Sequence, residues 1–218
     1  MDFDQISEKI KGYQAQGKRI FTSSSFQTHS IPLLHIISQV DASIPVYFLN
    51  TGYHFPETLE FRDQIVDLLG LYIIDLKPDT PKIMQLGADG KLLFTSDPDH
   101  CCYLNKTQPM EKVLMDHDVW INGIRGEQNM YRSQLHEEQP AKHGVIRFHP
   151  LISWSNRDIL AYRKKYKLPE HPLEAKGYFS IGCGPCTRKL DLAMQEREAR
   201  WYGLNKTECG LNTDLVNK

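Results

Sequence analysis

The stretch from residue 45 to residue 76, PVYFLNTGYHFPETLEFRDQIVDLLGLYIIDL, decides the fold. Residues 45–49 and 72–76 are short, continuous apolar runs of the kind that form buried strands. Residues 57–69, which lie between them, are predicted to form a helix. Two buried strands joined by a helix are typical of a parallel pair with a helical crossover, so this stretch predicts a parallel sheet.

The same alternation extends toward the N-terminus. Residues 19–22 predict another short buried strand, and residues 31–40 predict a helix that tolerates Pro32 in its first turn. The fold class is therefore expected to be α/β. Ligands of such sheets bind beyond the carboxyl ends of the strands, so the polar loops that follow Thr22 and Leu49 are the candidate binding loops.

The second half of the chain is less regular. It predicts helices over residues 106–117, 155–166 and 189–201, and strands over residues 118–121 and 145–148. Gly203 is expected to end the last helix. Because the chain has no internal repeat and no low-complexity linker, we expect a single domain with a C-terminal arm.

Composition narrows the class of protein. The chain has 218 residues, 40% of them hydrophobic, and a formal net charge of −1, so bulk charge gives no attraction to nucleic acid. No apolar run approaches the roughly 20 residues that a membrane span needs. The N-terminus lacks the basic and apolar regions of a signal peptide. We therefore expect a cytoplasmic protein whose thiols stay reduced.

Four of the five cysteines fall in two short segments, the pair Cys101 and Cys102 and the turn formed by Cys183 and Cys186. Four thiolates suffice for one metal or iron–sulfur centre. Neighbouring side chains on a regular helix diverge by about 100°, which favours a 4Fe–4S cluster with separate irons over a single zinc ion. A structural zinc site and buried free thiols are the alternatives.

Cys209 stands apart from these four, with Lys206 and Glu208 beside it. Nearby cations lower a thiol's pKa, and the thiolate is the nucleophilic form, so Cys209 is a candidate nucleophile on a mobile tail. A surface cysteine without a role is the alternative. The hydroxyl run Ser23, Ser24 and Ser25 before a helix suits an anion, although such loops also merely cap helices.

Taken together, these segments resemble the adenylyl-sulfate and phosphoadenylyl-sulfate reductase family over nearly the whole chain. The matching motifs are SSSF (23–26), LNTGYHFPET (49–58), the cysteine pair with Lys106, WINGIRGEQ (120–128), PLISW (150–154), GCGPCTR (182–188) and KTECGL (206–211). The cysteine tail and the combination of the pair with the Cys-x-x-Cys turn are the most specific of these motifs. The loop motifs alone also fit other nucleotide-binding proteins with the same sheet.

The resemblance implies a doubly wound, mostly parallel sheet of the ATP-pyrophosphatase (adenine nucleotide alpha hydrolase-like) type with a mobile C-terminal arm. Residues 1–201 are then the sulfonucleotide-binding α/β domain with the iron–sulfur site, and residues 202–218 the tail with the catalytic cysteine. It also implies thioredoxin-dependent reduction of the sulfonucleotide to sulfite and a nucleoside phosphate. The tail thiolate attacks the sulfate sulfur to give an S-sulfocysteine, and a thioredoxin thiolate then releases sulfite.

The resemblance assigns the residues as follows. The catalytic residue is Cys209, and the 4Fe–4S ligands are Cys101, Cys102, Cys183 and Cys186. The substrate-binding residues are Ser23, Ser24, Ser25, Thr51, Gly52, Lys106, Arg125, Arg197 and Arg200. In this family the four cluster cysteines go with adenylyl sulfate, whereas the SSSF loop is more similar to that of enzymes for the 3′-phosphorylated substrate.

The chain departs from the family pattern at four positions. Asn50 stands where Asp is more usual, Asn105 and Gly126 stand where Arg is common, and Asn212 stands where His is usual. Each change removes charge or proton-transfer capacity from the expected site.

Two other classes of function fit parts of the sequence: an ATP-pyrophosphatase-type enzyme of sulfur modification and a zinc-stabilised interaction domain. We expect no nucleic-acid or membrane partner, and a homo-oligomer is compatible with the chain.

Overall fold

A computed structural model describes residues 1–191, 196–203, 206 and 208–216. Within them the strands are β1 Ile20–Ser23, β2 Val46–Leu49, β3 Ile73–Leu76, β4 Val119–Ile121, β5 Glu138–Pro140 and β6 Ile146–Phe148. The helices are α1 Phe3–Ala15, α2 Ile31–Asp41, α3 Pro56–Leu69, α4 Leu93–Ser96, α5 Pro98–Cys102, α6 Gln108–Met115, α7 Met130–Ser133, α8 Asn156–Tyr166 and α9 Gly210–Thr213. A π-helical turn, Tyr103–Thr107, joins α5 to α6.

The strands form one six-stranded sheet in the order β3-β2-β1-β4-β6-β5. All neighbours are parallel except β5, which pairs antiparallel with β6. The chain winds from β1 outward to β3 and then returns to β4 on the other side of β1. The strand order therefore reverses between β1 and β4, and this switch point is where such sheets bind ligands.

The central strands are buried on both faces of the sheet. Ile20 of β1 packs in one apolar cluster with Ile6 and Ile10 of α1. The next residue, Phe21, points to the other face, where its ring stacks on Trp120 with centroids 5.9 Å apart. Helices thus cover both faces, which confirms the predicted α/β class with a doubly wound, mostly parallel sheet.

The first helix was not among the elements that the sequence predicted. It begins with a capping box in which Asp2 accepts from the Gln5 backbone and the Gln5 side chain accepts from the Asp2 backbone. That pattern is readable in the sequence as an N-terminal helix signal. Among the described residues no helix is both long and apolar enough to cross a membrane.

Two predicted helices differ from the structure. The helix expected over residues 106–117 begins at Gln108, after a π-helical turn that widens the backbone directly behind the cysteine pair. The helix expected over residues 189–201 is wrong at both of its described ends. Residues 189–191 are not helical, and Arg200 pairs antiparallel with Thr187, while the Arg188 N–H donates to the Ala199 carbonyl at 3.1 Å. Residues 192–195 lie outside the described residues, and Glu196–Ala199 is a 3₁₀ turn.

Candidate active site

A cleft of about 210 Å³ opens at the switch point of the sheet. Its floor comes from the residues that follow β1 and β4, including Ser23, Ser24, Ser25 and Asn122. Its other walls come from the chain after residue 180 and from the C-terminal tail. The cleft is therefore assembled from segments that are far apart in sequence, and its position is the one that the fold predicts for a ligand.

The serine loop after β1 is held in one conformation. Ser23 Oγ accepts the indole N–H of Trp120 at 2.8 Å, and Ser24 Oγ accepts the Phe26 backbone N–H at 3.0 Å. Phe26 has a left-handed φ of 52° and a fully buried ring. Burial of this ring fixes the turn, because a non-glycine residue adopts that conformation only where packing compensates its strain. The loop presents Ser25 and the neighbouring backbone to the cleft.

Three predicted cations line the same cleft: Lys106, Arg197 and Arg200. Burial acts against the charge of Lys106, but the thiolate forms of Cys183, Cys209 and Cys102 outweigh it and raise the pKa of Lys106. Burial lowers the pKa of Arg197 to about 10, which leaves it charged at neutral pH. These side chains give the cleft a positive wall suited to an anionic ligand.

A close approach at Gly182 sets the position of Arg200. A Cβ at Gly182 would lie 2.3–2.4 Å from three atoms of the Arg200 guanidinium. The Arg200 Nε donates to the Cys186 carbonyl at 3.2 Å, and its guanidinium lies 4.6 Å from the centre of the Trp201 ring. Glycine is needed at this position because any side chain would displace the cation from the cleft wall.

Cys209 lines the cleft at the start of α9 and is partly exposed. The residue before it, Glu208, is an ionic anchor: its carboxylate accepts from the Arg132 Nε at 2.7 Å and the Arg197 Nη2 at 3.1 Å. The Cys209 backbone N–H donates to the same carboxylate at 2.9 Å. Although burial opposes ionisation, these donors lower the pKa of Glu208 to about 2.

The tail beyond Cys209 is docked against the body of the protein. Leu215 is fully buried in the apolar cluster that contains Phe21 and Trp120. Its carbonyl accepts the Lys142 N–H at 3.0 Å, and the Asn212 carbonyl accepts the Tyr131 hydroxyl at 2.6 Å. The structure thus gives one closed position for the arm. Mobility of the arm stays a prediction.

The four other cysteines line one small cavity of about 10 Å³ that adjoins Lys106. All four are free thiols. Cys183 and Cys186 lie on a tight turn closed by the Cys186 N–H and the Cys183 carbonyl at 3.0 Å. Burial and the three neighbouring thiols raise the pKa of Cys101 to about 12. Burial and the neighbouring Cys183 thiol also raise the pKa of Cys186. At Cys183, by contrast, burial is outweighed by Lys106, Thr51 and Arg200, which lower its pKa. Four thiols in one cavity are a donor set that a cationic centre would stabilise.

The donor set has the number and type of ligands that one 4Fe–4S cluster needs, because four thiols line one cavity. Within the described part of the chain, no group of three or more His, Cys, Asp or Glu side chains is arranged to hold one metal ion. Binding of a cluster stays a prediction. Two neighbours orient the sulfurs: the Thr51 hydroxyl lies 3.3 Å from Cys183 Sγ, and the Asn105 Nδ2 lies 3.6 Å from Cys101 Sγ.

The remaining predicted substrate-binding residues lie outside the cleft lining. Thr51 is buried beside Cys183, and the Gly52 carbonyl accepts from Lys82 Nζ at 2.6 Å. Arg125 is fully buried behind the wall, where its Nη2 lies 2.8 Å from Asn156 Oδ1. Their role in binding stays a prediction.

Two residues of the cleft lining were not singled out from the sequence: Arg147 and Asn122. Arg147 stands in the short strand β6, and a charged residue in a buried parallel strand was the available signal. Arg132, one of several basic residues that lie in or beside the motifs, also lines the cleft, from the short helix α7.

The four departures from the family pattern have local explanations. Asn50 donates to Asp75 Oδ2 at 2.9 Å, and Asn105 donates to Gln85 Oε1 at 2.6 Å. A Cβ at Gly126 would lie 3.2 Å from the Ile152 carbonyl oxygen, so little space exists there for a side chain. Asn212 bridges two charged groups, since its Oδ1 accepts from Arg147 at 2.5 Å and its Nδ2 donates to Glu208 at 2.9 Å.

Comparison with known proteins gives consistent matches. The family described as phosphoadenosine phosphosulfate reductase domain matches residues 19–189. An adenosine 5′-phosphosulfate reductase of Chelativorans sp. is 40% identical over 196 residues, 88% of this chain and 78% of the relative. A phosphoadenosine 5′-phosphosulfate reductase of Gloeobacter violaceus is 34% identical over 200 residues, 90% of this chain and 83% of the relative.

Among solved structures, a phosphoadenylyl-sulfate reductase of Candida auris in complex with phosphate superposes with a TM-score of 0.68 at 21% identity. The match covers 82% of this chain and 87% of the other. This likeness confirms the predicted sheet of the ATP-pyrophosphatase type.

Proposed function

The chain belongs to the phosphoadenosine phosphosulfate reductase family, and we propose that it reduces adenylyl sulfate to sulfite and AMP with electrons from thioredoxin. It is then an oxidoreductase acting on a sulfur group. One observation carries the proposal: Cys209 lines the same cleft as the serine loop and the cations Lys106, Arg197 and Arg200. A nucleophile, an open cleft and a positive wall thus meet at the switch point of the sheet.

The first step is group transfer. The Cys209 thiolate attacks the sulfate sulfur, a sulfur–sulfur bond forms, and the bond from sulfur to the phosphate oxygen breaks with AMP as the leaving group. Cys209 then carries an SO₃⁻ group as S-sulfocysteine. Lys106, Arg197 and Arg200 offset the repulsion between the thiolate and the anionic substrate and stabilise the charge on the departing phosphate.

The second step is thiol exchange. A thioredoxin thiolate attacks the Cys209 sulfur, sulfite departs, and a mixed disulfide forms. The second thioredoxin thiol resolves it, so that thioredoxin supplies two electrons in total. The partly exposed thiol of Cys209 supports access by a protein partner, and free thiols throughout the described chain fit the reducing cytoplasm.

We further propose that the chain has two functional parts, a sulfonucleotide-binding domain and a C-terminal arm. Residues 1–201 bind the sulfonucleotide, with nucleotide contacts at Ser23, Ser24, Ser25, Thr51 and Gly52 and with Arg125 supporting the positive charge of the site. Residues 202–218 form the arm that carries Cys209 in and out of the cleft. Release of the buried Leu215 is the step that such movement requires.

We further propose that Cys101, Cys102, Cys183 and Cys186 hold a 4Fe–4S cluster. When bound, the cluster supplies a positively polarised centre beside the cleft. Lys106 lines both the cysteine cavity and the cleft, so it connects the electrostatics of the two sites. The electrons of the reaction come from the thiols, so the cluster needs no redox change.

Adenylyl sulfate is the substrate that we favour, because the four cluster cysteines are present. Relatives carry both names, adenosine 5′-phosphosulfate reductase and phosphoadenosine 5′-phosphosulfate reductase. The 3′-phosphorylated nucleotide is therefore the second candidate.

An anaerobic assay of sulfite release with thioredoxin tests the proposal. We expect release from adenylyl sulfate at a kcat/KM above that for the 3′-phosphorylated form, and its abolition by Cys209→Ser. Thr213→Ala, a change on the same short helix outside the cleft lining, is the matched control and should keep activity. Parental sulfite release by Cys209→Ser would show that another residue is the nucleophile. Pyrophosphate release from ATP without a response to adenylyl sulfate would contradict the proposed reductase and would indicate an ATP-pyrophosphatase-type enzyme.

The cluster has its own test. Anaerobically purified protein should be brown, with four irons and four sulfides per chain, as a single cubane requires. Cys186→Ser should lose iron, whereas Cys209→Ser should keep it. A colourless protein with one zinc per chain would contradict the cluster.

A further inference from the structure

Arg147 on β6 is a buried cation whose hydrogen-bonding capacity is only partly used. Its side chain is fully buried and still lines the cleft. Its Nη2 donates to Asn212 Oδ1 at 2.5 Å, but Nε and Nη1 have no acceptor among the described residues. A buried guanidinium with unsatisfied N–H groups is costly, so its presence indicates an acceptor that arrives with a ligand.

The position of this guanidinium is fixed from two sides. It stacks over the Trp120 ring at 4.5 Å, and Trp120 is itself held by its hydrogen bond to Ser23. On the other side it contacts Asn212, which lies on α9. The group is thus preorganised between the sheet and the docked tail, and it needs no rearrangement to receive an anion.

The buried carboxylate of the docked tail, that of Glu208, pairs with arginines other than Arg147. Glu208 pairs with Arg132 and Arg197, and within the described part of the chain Arg147 forms no ion pair. Burial lowers the pKa of Arg147 to about 10, so it is charged at neutral pH, and both Glu208 and Cys209 favour that charge. A charge of this kind in a poorly solvated place is stabilised most by an oxyanion that accepts two N–H bonds.

We propose that Arg147 binds the sulfonate group that Cys209 carries after the transfer step. This inference rests on the proposed function and adds a residue to it. Arg147 contacts α9 through Asn212, and Cys209 is the N-cap residue of the same helix, so an anion bonded to Cys209 enters the cleft with the segment that Arg147 already contacts. The oxygens of the sulfonate are acceptors for Nε and Nη1.

Arg147 acts on the transfer step, in which adenylyl sulfate and the free Cys209 thiolate are converted to S-sulfocysteine and AMP. It stabilises the S-sulfocysteine side of this step. Without thioredoxin the step is reversible, and its equilibrium is set by the ratio of AMP to adenylyl sulfate. A guanidinium that binds the sulfonate shifts it toward the adduct. Loss of a charged hydrogen-bonding partner in a buried site should shift it back by about tenfold or more.

The experiment measures the fraction of adduct on anaerobic protein by intact mass, at varied ratios of AMP to adenylyl sulfate and without reductant. For Arg147→Met we expect at least about a tenfold smaller adduct-to-thiol ratio, with the Kd of AMP unchanged. Arg147→Lys keeps the charge and the apolar stem over Trp120 but not the planar fork, so it should fall between parent and Arg147→Met.

Arg163→Met is the matched control, because Arg163 is also buried and has an unpartnered Nε in the described structure but lies outside the cleft lining. It should leave the ratio at the parental value. If Arg147→Met does not fold, Arg147→Lys provides the measurement.

An adduct ratio equal to the parent in folded Arg147 variants would overturn the inference. So would a weakened AMP affinity with an unchanged ratio, which would assign Arg147 to the nucleotide phosphate. Failure of the parent protein to form any adduct would instead contradict the proposed function.

Discussion

At the scale of single residues, the candidate site depends on close approaches that leave no room for substitution. Gly182 gives the Arg200 guanidinium its place, and Phe26 holds the serine loop through a left-handed backbone and a buried ring. Asn212 fits between Arg147 and Glu208 because an amide both accepts and donates. Gly182 and Asn212 act through position, so their substitution should affect catalysis more than stability, whereas removal of the buried Phe26 ring should also destabilise the fold.

Gly182→Ala tests the close approach. Its backbone does not need the left-handed region, but the new methyl group must displace the Arg200 guanidinium. We expect kcat/KM for adenylyl sulfate to fall by about 100- to 1000-fold, the range for loss of one preorganised donor, with little change in Tm.

Gly12→Ala is the control for this prediction, because a Cβ there meets no atom within 4 Å. It should keep parental activity. Parental kcat/KM for Gly182→Ala would show that Arg200 does not act from its observed position.

At the scale of elements, the tail and the helical run around the cysteine pair bring distant segments into one site. The π-helical turn Tyr103–Thr107 directly follows α5, the helix that carries Cys101 and Cys102, and so joins the cysteine pair to Lys106. Helix α9 is too short to be stable alone, so its place depends on Glu208 at its start and Leu215 beyond its end.

Leu215→Ala tests docking of the tail. Truncation of a fully buried leucine to alanine destabilises a folded state by about 2–5 kcal/mol. Here it should destabilise the closed position of the arm relative to an open one. We expect faster hydrogen exchange over residues 208–216 and slower adduct formation at Cys209, while AMP affinity stays at the parental value.

Leu160→Ala, at a leucine of α8 that is 43% exposed, is the matched control and should change neither quantity. Parental exchange rates in the tail of Leu215→Ala would contradict the view that this leucine closes the arm.

At the scale of the whole molecule, buried neutral histidines connect stability to pH. His171 is 1% exposed, its Nδ1 accepts the Leu173 N–H at 3.2 Å, and its Nε2 lies 3.1 Å from the Thr58 hydroxyl. Burial lowers the pKa of His171 to about 4, although Glu57 acts in the opposite direction. In the unfolded chain the pKa of a histidine is about 6.5.

The folded state therefore binds fewer protons than the unfolded chain between the two pKa values, and its stability falls as the pH falls through this window. From pH 7 to pH 5 we expect His171 to reduce the free energy of unfolding by up to about 2 kcal/mol. His171→Asn keeps an acceptor near the Leu173 N–H. Between pH 7 and pH 5 the variant's free energy of unfolding should fall by less than that of the parent.

Urea denaturation of parent and variant at both pH values measures the difference. Because the two proteins share all other titrating groups, their comparison isolates His171. An equal loss of stability in both proteins would contradict the assignment.

The sequence determined the elements whose signals are local. The apolar runs of β1, β2 and β3, the helices between them and the cap of α8 were predicted to within about one residue, because burial of a continuous run and side-chain capping depend on near neighbours. The sequence also distinguished Cys209 from the other four cysteines, because those four occur as an adjacent pair and a Cys-x-x-Cys turn whereas Cys209 stands alone. The expected helix over residues 189–201 was wrong because a tertiary pairing, Thr187 with Arg200, outweighed the local helical pattern there.

Tertiary structure alone decided which side chains meet. Arg125, Thr51 and Gly52 carry motif positions yet lie outside the cleft lining, whereas Arg132 and Arg147 line it without any motif. The reason is physical: the parallel pairing of β1 with β4 and the docking of Leu215 set distances between residues more than 50 positions apart. Such distances depend on the packing of the whole core, which no local pattern records.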